Sequence, residues 1–131
     1  RSGLSRGTHK GHIARAALEG IAFQVNDVIR CMSSDAKTPL HELRVDGGAS
    51  QNNLLMQMQS NLLQAQVIRP TITETTALGA AYLAGLAVNV WKDKSSIKQN
   101  WKASKTFKPK MNKSTRTALL NGWQQSVKNL K

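Results

Sequence analysis

Residues Leu43 to Asn53 read LRVDGGASQNN and change character three times in eleven positions. The run His41 to Asp46 puts Leu43 and Val45 on one face at period two, as a short half-buried strand does. Gly47 and Gly48 end it, and from about Ser50 the pattern turns helical. Gln51 to Gln64 carries Leu54, Leu55, Met58 and Leu62 on one helical face, and Gln66 to Arg69, before Pro70, is a second strand. Strand, helix and strand in that order predict a parallel pair with a right-handed crossover. The helix would aim its free N–H groups past the first strand's carboxyl end, where an anion is favoured. Two residues without Cβ allow positive φ and let a ligand reach the backbone itself. Gln51 and Asn52 add side-chain amides able to meet a base or a ribose. The stretch is neither a G-x-G-x-x-G fingerprint nor a P-loop, so the residues alone leave two readings open: a plain turn or a nucleotide contact.

Outward from this unit the chain stays α/β. From Thr8, a candidate N-cap, to Met32, the positions Ile13, Ala17, Ile21, Val25 or Val28, and Met32 make a stripe at helical spacing. Thr75 to Val88 is a helix of small residues, Ala77, Gly79, Ala80, Ala81, Ala84 and Gly85, narrow enough to lie against a neighbour or a second subunit. Lys92 to Lys113 is irregular and reads as a looser connector. Leu119, Trp123, Val127 and Leu130 then recur at spacings of four, four and three as the apolar face of a last helix, with Ser114 as its expected cap.

With 131 residues, 40% of them hydrophobic, the chain is the size of one globular domain. Its longest apolar run, Ala77 to Val88, is twelve residues with two glycines, well short of a membrane span. The first dozen residues carry arginines but no apolar core or cleavage site of a secretory signal. Cys31 is the single cysteine and excludes an intrachain disulfide, which fits a reducing compartment and a cytoplasmic location.

The net charge is +12, and it is unevenly spread: ten lysines and Arg116 face the single acid Asp93 from Trp91 onward, against eight basic and six acidic residues before it. Trp91, Trp101, Phe107 and Trp123 among those lysines would suit base stacking in a nucleic-acid-binding module. A solvated helix face with its aromatics turned inward is the competing reading, and the helical spacing favours it. A nucleic acid is therefore not the expected partner.

Catalytic residues are sparse. His9 and His12 lack the third ligand a zinc site needs and read as exposed histidines. Asp35, Glu42, Asp46 and Glu74 each sit in a turn or at an element end. Asp46 is the most interesting, because it stands at a strand's carboxyl end beside the glycines, and a structural role is still its better reading. No catalytic set and no metal set stands out.

Four blocks in order, GLSRGTHKGHIARAALEGIAFQ, LRVDGGASQNNLLMQMQSNLL, RPTITETTALGAAYLAGLAV and, after Trp91, FKP with GWQQSVK, resemble the C-terminal part of the FGGY carbohydrate kinases. The resemblance runs from Gly3 to Lys128, and ETTALGAAYLAGLAV with Trp91 looks most like the glycerol-phosphorylating members. It implies part of an actin-like, ribonuclease-H-like ATPase domain, with helices on a short parallel sheet whose upstream strands are missing. Residues 1–90 would be the partial domain core with the adenosine motif, and 91–131 a basic connector and C-terminal helix of that domain. The implied nucleotide-binding residues are Gly47, Gly48, Ala49, Ser50, Gln51 and Asn52, with the backbone from Gly48 to Gln51 along the nucleotide and Asn52 toward the adenosine. ATP or ADP and Mg2+ are the implied cofactors and glycerol the implied substrate. The phosphate loop, the polyol site, the catalytic base and the Mg2+ ligands belong to family regions that nothing here matches. The expectation is a fragment inactive alone, with uncovered apolar faces and a tendency to form homo-oligomers.

Overall fold

The structure, a computed structural model, describes residues 3–98 and 103–129. Its elements run α1 (Lys10–Ala36), β1 (Glu42–Arg44), a 3-10 turn (Gly48–Gln51), α2 (Asn53–Leu63), β2 (Gln66–Pro70), α3 (Thr75–Ala87), α4 (Lys94–Lys98), β3 (Ala103–Phe107) and α5 (Lys113–Lys128). The β1–α2–β2 unit is present, with β1 and β2 parallel and Leu43 opposite Val67. The sheet itself is mixed rather than parallel, because β3 adds antiparallel to β2 with Phe107 opposite Val67.

That third strand lies inside the stretch expected to be a loose connector. Only Phe107 of its five residues is buried, so it shows no alternation to betray a strand. What holds it is α2. Ser60 Oγ is within donor reach of the Ala65 and Phe107 carbonyls, at 2.8 and 3.1 Å. Gln57 donates to the Lys108 carbonyl at 2.8 Å, and Asn61 Oδ1 accepts from the Lys110 N–H at 2.8 Å. A backbone run satisfied in this way is docked, not loose.

α2 is the hub. It packs on β2 and β3, against α1 and against α5, and it buries Leu55, Met56, Met58 and Leu62 beside Val67, Phe107, Leu120, Ala22 and Phe23. Leu54, expected on that face, is 46% exposed: the buried face runs through Leu55, Met58, Gln59 and Leu62 and takes in Met56 in its place. On α1 the stripe Ile13, Ile21, Val28 and Met32 lies outward and exposed, while Ala22, Phe23 and Asn26 face the core. The helix thus carries apolar residues on two sides.

The helix caps differ from expectation as well. His9, not Thr8, caps α1: its Nδ1 accepts from the Gly11 N–H, and His12 Nδ1 accepts from the His9 N–H, with the rings 3.9 Å apart. Asn112, not Ser114, caps α5 by accepting from the Thr115 N–H at 2.8 Å. Trp123 stacks on Phe23 at 5.2 Å and donates its Nε1–H to Asp27 at 2.7 Å, which pins α5 to α1. Leu119 also packs on the core, whereas Val127 is 40% exposed. Leu130 and Trp101 lie outside the described residues.

Candidate functional site

The glycine seam lies where β1 ends and the chain turns into α2. Gly47 has φ +73°, a conformation costly for any residue with a side chain, so the turn requires glycine there. Gly48 is different. Its φ is not in that region, and a Cβ built on it would have no atom within 4 Å. Neither strain nor packing inside the chain explains the missing side chain, and the backbone at Gly48 is bare to the outside.

From Gly48 the chain makes one 3-10 turn before α2. Ser50 is buried, and its hydroxyl donates back to the Gly47 carbonyl at 2.7 Å. Its side chain therefore stabilises the turn, and its backbone N–H closes back on the same Gly47 carbonyl at 3.1 Å. Asn52 is the N-cap of α2, its Oδ1 accepting from Leu54 and Leu55 N–H at 3.0 and 3.1 Å. The carbonyl half of that amide is thereby committed to the helix. Gln51 Nε2 reaches Thr73 Oγ1 at 3.4 Å, a long hydrogen bond.

Three residues that sequence reasoning missed hold this turn in place. Arg69, at the end of β2, donates its Nη1 to the Ser50 and Gln51 carbonyls at 3.0 and 3.1 Å and to Asn53 Oδ1 at 3.2 Å. Its guanidinium also lies 5.7 Å from the Phe107 ring centroid. The Gly47 N–H donates to the Thr73 carbonyl at 2.8 Å. Thr75, first residue of α3, donates its hydroxyl to Asp46 Oδ2. Asp46 thus ties the first strand's end to the start of α3, the structural role favoured for it. An arginine in the residue before Pro70 was the available signal for Arg69, since a charge at a strand end next to a glycine turn has carbonyls within reach.

The seam is therefore a rigid, polar-backed ledge at the carboxyl ends of two parallel strands, the position at which open α/β sheets bind ligands. Two other acids singled out from the sequence do not join it: Asp35 and Glu42 are exposed, and Glu42 pairs with Arg44 at 2.7 Å. Among the described residues no group of three or more His, Cys, Asp or Glu side chains is placed to hold a metal ion. Phe107 is buried and Trp123 stacked inside, so neither is presented for base stacking. Trp91 folds back on α3, edge-on to Tyr82 at 5.1 Å. Among the described residues no helix is long and apolar enough to cross a membrane.

Comparison with known proteins places these features. The family described as "FGGY family of carbohydrate kinases, C-terminal domain" matches residues 2–88. A glycerol kinase of Dechloromonas aromatica is 55% identical over 125 residues, covering 95% of this chain and 25% of that protein. The chain thus spans about a quarter of the length of the curated relatives it matches. Among solved structures, Plasmodium falciparum glycerol kinase with ADP superposes with a TM-score of 0.86 at 36% identity, over 98% of this chain and 26% of that one. A ligand-bound xylulose kinase from Lactobacillus acidophilus superposes with a TM-score of 0.76 at 26% identity, over the same shares. The fold is that of part of an actin-like, ribonuclease-H-like ATPase domain.

Proposed function

Because the chain belongs to the FGGY family of carbohydrate kinases, we propose that it is the nucleotide-binding C-terminal part of an ATP-dependent glycerol kinase. The whole enzyme would convert ATP and glycerol to ADP and glycerol 3-phosphate. The observation that carries the reading is the place of Gly48: like Gly20, Gly79 and Gly122 it is bare for no internal reason, but it stands on the ledge at the strands' carboxyl ends, and a structure of the same fold has been solved with ADP. Glycerol, rather than another polyol or sugar, is supported by the higher identity to glycerol kinases than to the xylulose kinase.

In this reading the backbone from Gly47 to Gln51 lies along the nucleotide and the amide of Asn52 faces its adenosine end. The bound nucleotide supplies the phosphoryl group. The chain's own residues supply position: Gly47 makes the turn, Arg69 holds two of its carbonyls, and Thr75 with Asp46 fixes its entry. The residues described do not build a magnesium site, and no step is derived through the cation. Mg2+, the glycerol pocket and the catalytic base are assigned to the remaining three-quarters of the kinase. Residues 1–90 form the domain core in this scheme and 91–131 the basic connector and last helix.

The exposed Ile13, Ile21, Val28 and Met32 of α1 and Leu83 of α3 support association, with a homo-oligomer in the cytoplasm as the assembly we favour. A monomeric mass across a light-scattering concentration series would count against it. The function is tested with a chimera in which this chain replaces the matching quarter of the Dechloromonas aromatica enzyme. Glycerol-dependent ADP release is expected from the chimera and not from the isolated chain, because positioning needs both walls of the cleft. Turnover by the isolated chain would contradict the reading.

A further inference from the structure

A second polar cleft, sharing no residue with the glycine seam, opens between α1 and α5. It has a volume of about 320 Å³ and is lined by Arg30, Arg116, Thr117, Asn121 and Gln124 over Leu120. The ion pairs among the described residues are Arg15–Glu19 and Arg44–Glu42, so neither arginine of the cleft is ion-paired; Asp27, one turn before Arg30, is engaged by Trp123 Nε1 instead. Arg116 donates its Nε–H to the Leu62 carbonyl at 2.6 Å. That bond fixes the guanidinium plane and leaves its terminal nitrogens for another partner. Residues 117, 121 and 124 follow one another at helical spacing on α5 and add a hydroxyl and two amides.

Two guanidinium groups on one cleft repel each other unless an anion lies between them, and the planar fork of arginine matches phosphate oxygens two at a time. One turn before Arg30 on the same side of α1, Asn26 is fully buried with neither amide atom paired. Asn26 does not line the cleft and, fully buried, is out of a ligand's reach, so the site rests on its own lining residues. Trp123, stacked on Phe23 and bonded to Asp27, holds the two helices at fixed separation, so the cleft is preformed. Its volume is at the low end of small-molecule sites, roughly 300–1,000 Å³.

We propose that this cleft binds a phosphate dianion, free or as a small phosphomonoester, between Arg30 and Arg116. The site is independent of the kinase reading and accounts for two cations of the basic surface that nucleotide binding at the seam does not use.

The test is a calorimetric titration of the 131-residue chain with inorganic phosphate and, separately, with methyl phosphate. One saturable site is expected. Binding of both ligands would assign a phosphomonoester site, and binding of phosphate alone a free-phosphate site; either supports the proposal. Arg30 is exposed, so Arg30→Glu is expected to fold; it should weaken binding at least tenfold. Lys10→Glu makes the same charge change about 30 Å away along α1 and should alter binding less than twofold. Equal weakening by both variants would show only diffuse attraction to a basic protein and overturn the proposal, as would the absence of saturable binding. MgADP affinity measured on Arg30→Glu should be unchanged, which separates this outcome from the fate of the seam.

Discussion

Gly48 and Gly85 lack the same atoms for opposite reasons. A Cβ on Gly85 would run into the Trp91 ring, so the chain's own packing accounts for that glycine. A Cβ on Gly48 would meet nothing. The contrast separates residues that the fold explains from residues that it leaves over; Gly20, Gly79 and Gly122 are left over too, and what sets Gly48 apart from them is its place at the carboxyl ends of the parallel strands. The basic C-terminal segment falls on the first side of that line in its aromatic residues, since Phe107 and Trp123 are spent on the core.

The largest effect should come from the most thoroughly explained residue. Trp123→Ala removes the stack on Phe23 and the hydrogen bond to Asp27, and should cost about 3 kcal/mol in chemical denaturation. A variant as stable as the parent would return the tail aromatics to the unexplained side. Gly85→Ala should be next, at about 1 kcal/mol of lost stability. Alanine brings a helix-propensity gain of about 1 kcal/mol, and displacing the Trp91 ring costs about twice that. In a Trp91→Ala background the same change should stabilise, and the sign reversal in a double-mutant cycle is the result to look for.

Asn26 sharpens the comparison from inside the core, as a buried residue whose polar atoms the chain leaves unpaired. Asn26→Leu should raise stability by about 1 kcal/mol, seen as a higher melting temperature, because the unmet desolvation of the amide disappears. A lower melting temperature would mean that the amide has a partner in solution. The smallest effect concerns Asp93. Ser95 Oγ, then the Ser96 N–H and Oγ, donate to its carboxylate and lower its pKa from 3.8 to about 2. A depressed carboxylate stabilises above its unfolded pKa and stops doing so as pH falls through the folded one. Protection of the Ser96 amide from hydrogen exchange should therefore hold above about pH 4 and fade toward pH 2.

The sequence made the β1–α2–β2 unit legible because period-two and helical spacing both survive in short segments around a double glycine. The family blocks made its larger fold legible. β3 was hidden because Phe107 is its one buried residue, and periodicity needs several. The caps of α1 and α5 were misassigned for different reasons: a histidine imidazole is a rare cap, and Asn112 and Ser114 are both good cap formers two residues apart. At the seam, the residues alone left a turn and a nucleotide contact open and the family resemblance pointed to 47–52, but neither showed their division of labour. That Ser50 turns inward and Asn52 is half committed to α2 depends on a 3-10 turn whose hydrogen bonds leave no pattern in residue order. Arg69 offers only its place at a strand end before Pro70 as a signal, and its partners stay hidden because the carbonyls it holds are distant in sequence.

The central claim is that Gly48 is bare for a nucleotide. It is tested most directly by calorimetric titration of the chain and of Gly48→Val with MgADP at low and moderate salt, alongside their melting curves. The account predicts saturable binding by the parent that changes little with salt, and at least tenfold weaker binding by the variant, about 1.4 kcal/mol. The two proteins should melt within a degree or so of each other, since the new side chain enters open space. Equal binding by the two proteins, or binding by the parent that fades with salt, would contradict it.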